Sequence, residues 1–177
     1  MAESKQYVST RRQLHRFKNN ILVESGSLTG GGVQDALDCG YKRVISFEVA
    51  PSFVEHCRNR FKNNENVSII GDTSANMFEH IKSISEPITF WLDGHYSGGT
   101  TSYKDVYCPI LQELDAIGRH HLKNHVILID DVRLFGTAEF DHIQLEDVKK
   151  KILNINPNYK FTLFDGYVKD DILCASL

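Results

Sequence analysis

Short apolar runs alternate along the chain with segments of helical spacing, and this order predicts the fold class. Several short runs are rich in Val, Ile, Leu and Phe, and most are continuously apolar, which is typical of strands buried on both faces of a sheet. They predict strands at 21–23, 44–47, 67–70, 88–92, 126–129, 160–164 and 172–176. Segments with helical spacing lie between them, at 33–37, 52–61, 76–83, 109–121 and 145–154. Such a βαβα order predicts a doubly wound α/β sheet with parallel strands.

The last two predicted strands depart from this order. Only residues 165–171 separate them, which is too short for a right-handed crossover, so they are expected to form an antiparallel hairpin. We therefore predict a Rossmann-like, seven-stranded sheet that is mostly parallel and ends in an antiparallel C-terminal hairpin. The whole chain, 1–177, is expected to form one domain, with a helix in residues 1–19 outside the sheet.

Two helix starts carry local signals. Ser52 followed three residues later by Glu55 is the pattern of a capping box. Pro109 suits the first turn of the next long helix, where its missing N–H costs nothing.

Composition and charge exclude several classes of function. The formal net charge is −3, so the chain lacks the basic surplus of a nucleic-acid-binding protein. No apolar run approaches the roughly 18 residues of a membrane-spanning helix, and the polar N-terminus lacks the apolar core of a signal peptide. The scattered cysteines, Cys39, Cys57, Cys108 and Cys174, form no CxxC pair and indicate a reducing, cytoplasmic location.

Glycines and acids follow the predicted strands, at the edge where doubly wound sheets bind ligands. The first strand runs into Glu24 and then into a glycine-rich turn that includes Gly26 and Gly30. Glycines there allow a ligand to approach the backbone, and the free N–H groups of the following helix favour an anion. The turn does not fit GxGxxG, because Leu28 stands where the second glycine belongs.

The next two strands also end in polar residues. Glu48, at the end of the second, is placed to accept hydrogen bonds from both hydroxyls of a ribose. Asp72 and Thr73 follow the third strand, where an acid or hydroxyl can meet the edge of an adenine. The alternative for this pair is a cap on the next helix.

Three carboxylates leave the fourth and fifth strands at the same edge. Asp93 follows the fourth strand, and Asp130 and Asp131 follow the fifth. Like charges this close require compensation, and hard oxygen ligands suit Mg²⁺ or a similar divalent ion. The alternative is that Asp130 or Asp131 caps a turn while only the other faces a ligand.

The ordered set Glu24-x-Gly26, Glu48, Asp72 and Asp93, with the terminal hairpin, resembles the class I S-adenosylmethionine-dependent methyltransferases. The resemblance covers about residues 20–177. It implies that Glu24 and Gly26 lie near the methionine part of the donor, with Glu48 at its ribose. It also implies that Asp72 and Thr73 lie at its adenine.

A narrower resemblance is to the metal-dependent O-methyltransferases of the catechol and macrocin types. Those enzymes place one acid after the fourth strand and an acid pair or Asp-Asn after the fifth, as Asp93 and Asp130-Asp131 do here. Where the catechol branch has a lysine three positions after the first acid, this chain has Tyr96, beside His95. The macrocin likeness implies a sugar or glycan acceptor.

Transfer of a methyl group to a hydroxyl also needs a general base. His95 is the candidate, because an unperturbed histidine is partly neutral at pH 7, and Tyr96 is the second. Both residues are expected to contact the acceptor. Arg133 is expected either to clamp the acceptor or to form an ion pair at the surface. The loop 94–108 is expected to fold over the donor.

Two other readings of the sequence stay open. Glu48 would serve a nicotinamide cofactor equally well in an oxidoreductase, although the missing GxGxxG disfavours one. The chain could also be a module that binds the donor without catalysis, which would not need three acids at one edge. We expect a small-molecule or glycan partner, no nucleic acid, and either a homo-oligomer or a place within a larger protein.

Overall fold

The computed structural model describes the backbone of residues 5–96 and 107–177, and the side chains from residue 10 onward within these ranges. The strands are β1 (Ile21–Ser25), β2 (Arg43–Phe47), β3 (Val67–Ile70), β4 (Ile88–Leu92), β5 (Val126–Ile129), β6 (Lys160–Phe164) and β7 (Ile172–Ser176). The α-helices are α1 (Lys5–Arg16), α2 (Gly31–Asp38), α3 (Pro51–Phe61), α4 (Phe78–Ile81), α5 (Ile110–Arg119) and α6 (Leu145–Ile155). Short 3₁₀ turns occur at Ser74–Asn76, Val132–Leu134 and Ala138–Phe140.

The strands form one seven-stranded sheet in the order β3-β2-β1-β4-β5-β7-β6. The first five are parallel, and β7 is antiparallel to both β5 and β6. The predicted fold class is therefore confirmed, including the terminal hairpin. The order reverses between β1 and β4, and sheets of this kind bind ligands in the crevice at the carboxyl ends of such a pair.

Both faces of the sheet are buried along β1, β4, β5 and β7, as the continuously apolar strands predicted, whereas the edge strand β6 is partly exposed. Along β1, Val23 belongs to the hydrophobic cluster that contains residues of α4, α5 and α6. Its neighbour Leu22 belongs to the cluster formed with α1, α2 and α3. The alternation of side chains along a strand thus divides the apolar residues between two helical layers.

The predicted capping box at the start of α3 is wrong. The helix begins at Pro51, its N-cap is Ala50, and no side chain caps it from that position. Instead the Glu48 carboxylate accepts the N–H groups of Val49 and Ala50, both at 2.9 Å. A proline at the first position removes one of the free donors, and an acid from the preceding strand binds those just before it.

Other helix boundaries also differ from the prediction. Pro109 is the N-cap of α5 rather than part of its first turn. The expected helix 76–83 is divided between the 3₁₀ turn Ser74–Asn76 and the single turn α4.

Two buried histidines link the amino ends of β4 and β5, at the edge opposite the crevice. The His125 Nδ1 accepts the N–H of Ile88, and its Nε2 lies 3.1 Å from the His120 Nδ1. The His120 Nε2 lies 3.1 Å from the carbonyl oxygens of Ile81 and Ile84, so it carries a proton. Each ring nitrogen of the two histidines has a hydrogen-bond partner when both rings are neutral. Burial lowers the pKa of His125 to about 4.

All four cysteines are buried free thiols, as expected. Within the described ranges, the helices are too short or too polar to cross a membrane. The part of the predicted donor-covering loop at residues 97–106, and residues 1–4 of the predicted N-terminal helix, lie outside the described residues.

Candidate functional site

The carboxyl ends of β1 and β4 are in direct contact. The Asp93 N–H donates to the Ser25 Oγ at 3.1 Å. Gly26 has a φ of +85°, and a Cβ at this position would lie 2.6 Å from the Asp93 carbonyl oxygen. Only glycine fits this conformation and this approach without strain. The turn after β1 and the residue after β4 therefore form one wall of the crevice.

Glu24 lies beneath this turn rather than at its surface. Its carboxyl group is buried, accepts a hydrogen bond from the Ser46 hydroxyl at 2.5 Å, and occupies the space that a Cβ on Gly32 would take. Burial raises the pKa of Glu24 to about 7. Gly30, in the same turn, has a φ of +82° and packs against Phe61. Gly26 and Gly30 thus belong to one turn at the head of α2, and Glu24, in β1, lies beneath it.

Glu48 closes the same turn from the end of β2. Its Oε2 accepts the Leu28 N–H at 2.9 Å, and its Oε1 accepts the two N–H groups that precede α3. The side chain is nearly buried. Contact with a ribose stays a prediction, but the carboxylate already lies between the turn after β1 and the start of α3.

Asp72 and Thr73 form a hydrogen-bonded turn after β3. The Asp72 Oδ1 accepts the Thr73 N–H at 2.7 Å, and its Oδ2 accepts from the Asn76 side chain at 2.9 Å. The Thr73 hydroxyl accepts the Ala75 N–H at 3.4 Å, which is the capping role that was the alternative for this pair. Both residues are partly exposed, and their contact with an adenine stays a prediction.

The imidazole of His95 lies between two carboxylates that come from different strands. Its Nδ1 is 3.6 Å from the Asp93 Oδ1, and its Nε2 is 3.4 Å from the Asp131 Oδ2. Its ring centroid is 5.0 Å from that of Phe140. Burial lowers the pKa of His95, and the Asp131 charge opposes this effect. The structure therefore brings together three of the predicted site residues.

The acids around His95 are crowded. Burial and the nearby charges of Asp130 and Asp131 raise the pKa of Asp93 well above its usual value. Burial and the charge of Asp131 raise the pKa of Asp130 to about 7. A cation or a proton is needed to offset this repulsion.

The described residues contain two groups of side chains whose ligand atoms are close enough to hold a metal ion. In each group these atoms lie within 4.8 Å of one another, and the groups are Asp93, His95 and Asp131, and Asp130, Asp131 and Asp171. The predicted set of Asp93, Asp130 and Asp131 is thus divided between the two groups. The Asp130 Oδ1 accepts the Asp131 N–H at 2.9 Å, which is the turn-capping alternative.

Arg133 pairs with two of the three acids in the second group. Its Nη1 forms ion pairs with Asp131, at 2.5 Å, and with the fully buried Asp171. Its guanidinium also lies over the ring of Tyr167, 5.2 Å from the centroid. Arg133, which was predicted to bind the acceptor, therefore pairs with residues of the chain itself in this structure.

Tyr96 lies at the base of the loop that begins after Gly94. Its N–H donates to the Tyr107 carbonyl at 2.8 Å, and the two rings are 5.5 Å apart. The Asp141 carboxylate accepts the N–H groups of Tyr107 and Cys108. These hydrogen bonds connect the end of the loop to the segment after β5.

A cleft of about 230 Å³, including its open mouth, lies next to His95. Its wall combines acids with apolar side chains, namely Asp93, Asp130, Glu113, Ile110 and Phe140. The sequence analysis missed Glu113 and Asp171. The available signal for Glu113 was an acid on the apolar face of a helix, between Ile110 and Ile117.

No protein-family model matches the sequence, and no curated protein matches it. Solved structures do share the fold. A Podospora anserina methyltransferase bound to S-adenosylhomocysteine (SAH) is 15% identical, with a TM-score of 0.65 and 99% of this chain and 79% of that chain covered. A Bacillus cereus O-methyltransferase in complex with SAH is 12% identical, with a TM-score of 0.64 and 100% and 83% covered.

A Clostridium thermocellum chain, provisionally named an rRNA methylase, is 14% identical, with a TM-score of 0.65 and 99% of both chains covered. At these identities the likeness establishes the fold. The chain therefore has the Rossmann-like fold of class I methyltransferases, as its sequence motifs suggested.

Proposed function

We propose that this chain is an S-adenosylmethionine-dependent methyltransferase that methylates a hydroxyl group of a small acceptor, with a sugar or glycan as the favoured class. The observation that carries the proposal is the position of His95, between Asp93 and Asp131. It lies directly beside the crevice where β1 meets β4.

The turn after β1 supplies the donor side of the proposed site. In this proposal the methionine part of the donor lies against Gly26 and Asp93, above the buried Glu24. Glu48 binds the ribose hydroxyls, and Asp72 with Thr73 lies at the adenine. The close packing of Gly26 on the Asp93 backbone supports this assignment, because Gly26 itself places no side chain in the crevice.

The reaction needs one bond made, one broken and one proton moved. The acceptor oxygen attacks the methyl carbon in line with the carbon–sulfur bond, and the sulfonium leaves as the neutral thioether of SAH. The acceptor proton passes to His95, whose lowered pKa keeps the imidazole neutral and able to accept it near pH 7. Asp93 and Asp131 then stabilise the imidazolium that forms.

The donor set of Asp93, His95 and Asp131 also fits a divalent cation. These residues offer hard oxygen atoms and one imidazole nitrogen, and their mutual charge repulsion would be relieved. Such an ion would supply Lewis-acid stabilisation of the acceptor oxygen as it loses its proton. In that case His95 is a ligand, and Tyr96 becomes the candidate base.

The side chains that line the cleft favour a neutral acceptor. Asp93, Asp130 and Glu113 line it, and the nearby Arg133 is held by Asp131 and Asp171. An anionic acceptor such as a nucleic-acid backbone would find no Lys or Arg side chain among the described residues that line the cleft, whereas the hydroxyls of a sugar could hydrogen-bond to its carboxyl groups.

Calorimetric titration of SAH into the protein tests the proposal, first with Mg²⁺ and then with EDTA. Micromolar binding is expected in at least one condition, and a loss of binding or turnover in EDTA would establish metal assistance. NADH is titrated in parallel, because the Glu48 position suits either cofactor. Binding of NADH without binding of SAH would refute the methyltransferase assignment in favour of the oxidoreductase reading.

Turnover separates catalysis from donor binding alone. A panel of neutral sugars and glycosides is incubated with methyl-labelled donor, and labelled products are identified by mass spectrometry. A protein that binds SAH tightly but labels no hydroxyl compound would be a binding module instead.

A further inference from the structure

We propose that Glu113 is a positioning residue that organises both ends of the donor pocket from beneath, through Ser25 and Ser74. This inference rests on the proposed function, because that function identifies the crevice as the donor pocket. None of the motifs at the strand ends includes Glu113, since it lies on α5.

Glu113 is a buried acid in an otherwise apolar helix face. Its side chain is 1% exposed, and the flanking residues Ile110, Leu114 and Ile117 belong to the hydrophobic core. Burial raises the pKa of Glu113. An apolar residue here would avoid the cost of desolvating a carboxyl group. We therefore infer the role of Glu113 from its polar contacts.

The first contact leads to the junction of β1 and β4. The Ser25 side chain lies next to the Glu113 carboxyl group and lowers its pKa against the effect of burial, while the Ser25 Oγ accepts the Asp93 N–H. The hydroxyl proton of Ser25 is therefore available to Glu113. A Cβ built on Gly94 would lie 3.3 Å from the Glu113 Oε1, so the carboxyl group also touches the chain just after Asp93.

The second contact leads to the turn after β3. The Ser74 hydroxyl donates to the Glu113 Oε1 at 2.5 Å. Ser74 directly follows Asp72 and Thr73, the residues assigned to the adenine. One carboxyl group thus binds the segment at the methionine end of the pocket and the segment at its adenine end.

The consequence is a fixed separation between the two segments. β1 and β4 are neighbours, but β3 is held away from them by β2. Glu113 bridges this gap from the helical layer. Without the bridge, each segment would move independently, and the donor would have to order them when it binds.

The test compares E113A, E113Q and the control D115N, which removes an exposed acid from the same helix. SAH dissociation constants are measured by calorimetry well below each variant's melting temperature. We expect about tenfold weaker binding for E113A, which loses the hydrogen bond from Ser74 and the contact with Ser25. E113Q should stay within about threefold of the wild type, because a carboxamide can keep a hydrogen bond to each serine. D115N should bind as the wild type does.

Amide hydrogen exchange at Asp93 gives a readout that does not depend on the donor. Faster exchange is expected in E113A and not in D115N, because Glu113 holds the Ser25 hydroxyl that accepts this N–H. If E113A does not fold, E113L replaces it, because leucine fills the apolar site and cannot hydrogen-bond to either serine. In the cycle of E113L, S74A and the double variant, non-additive SAH affinities are expected.

Two results would overturn the inference. One is an E113A variant, or an additive cycle, with unchanged SAH affinity despite binding by the wild type. The other is unchanged exchange at Asp93. Failure of the proposed function is distinct from both, since the wild type itself would then not bind SAH.

Discussion

The guanidinium of Arg133 forms an ion pair with the fully buried carboxylate of Asp171, and this pair joins the turn after β5 to the β6–β7 hairpin. Asp171 also accepts the backbone N–H groups of Arg133 and Val168. The antiparallel end of the sheet is thus fastened directly to the segment that carries Asp130 and Asp131.

Removing this cation should destabilise the fold. R133M leaves a buried carboxylate without its charged partner, and a loss of about 2 kcal/mol is expected, below the usual cost because Arg133 is partly exposed. Urea unfolding measures the change. Adding D171N should recover part of the loss, since the amide carries no charge, and fully additive effects of the two substitutions would contradict the coupling.

Substitution of His95 should separate chemistry from donor binding. H95N is expected to lower kcat by about 100-fold or more, because the acceptor loses its proton less readily. SAH affinity should change little. The wild-type kcat/KM should rise with pH through the lowered pKa of His95, on the acid side of 6.5, and this limb should be absent in H95N.

The matched control is H142N, at an exposed histidine in the segment after β5. His142 has a φ of +56°, which asparagine tolerates, so the backbone should be undisturbed. Equal losses of kcat in the two variants would argue against a base at His95.

Because Gly26 packs directly against the Asp93 backbone, position 26 should not tolerate any side chain. G26A places a methyl group against the Asp93 carbonyl at a positive φ, and a loss of about 2 kcal/mol is expected together with weaker SAH binding. Urea unfolding and calorimetry provide the measurements.

Gly118 provides the control, because a Cβ there would lie no closer than 3.5 Å to Ile155. Within the α5 helix, G118A should stabilise the protein by about 0.5–1 kcal/mol. Similar stability changes in G26A and G118A would show that the crevice wall is not as tight as the structure indicates.

The histidine pair at the opposite edge should make stability depend on pH. His125 has a pKa of about 4 in the folded protein and about 6.5 when unfolded, so between these values the unfolded chain binds the extra proton. This group therefore adds stability as the pH rises from 4 to 6.5, by up to about 3 kcal/mol. Glu24 has the opposite effect: its pKa is raised from 4.5 to about 7 in the folded protein, so it lowers the stability as the pH rises through this range.

Comparison with H125N separates the two effects, because the Glu24 contribution is common to both proteins. Asparagine can still accept the Ile88 N–H through its side-chain oxygen. The stability difference between wild type and H125N should be larger at pH 7 than at pH 4.5. A difference that is constant across this range would mean that His125 does not titrate as its environment implies.

The sheet was predictable because β4 and β5 are short runs that are apolar except for Thr89, and their burial leaves few alternatives. The start of α3 was not, because Glu48, just after β2, binds the N–H groups of Val49 and Ala50 and the helix then begins at Pro51. The Ser52 and Glu55 pattern carries no information about that competition.

Within the site, the sequence predicted that Asp93 and Asp131 lie at the same edge of the sheet, because each follows a parallel strand. The position of His95 between them did not, since it depends on the path of the chain after β4. Glu113 and Asp171 were missed because their partners are distant in sequence: Ser74 lies 39 residues from Glu113, and Arg133 lies 38 residues from Asp171. Only packed helices and a closed hairpin bring such pairs together.

The position of β7 has a consequence for the order in which the chain can fold during synthesis. β7 lies between β5 and β6, yet it is made after both. Until Ile172–Ser176 has been synthesised, β5 presents an unpaired apolar edge and β6 has no neighbour at all. A nascent or truncated chain that ends before β7 is therefore exposed to pairing with other strands, and completion of the sheet depends on its last strand.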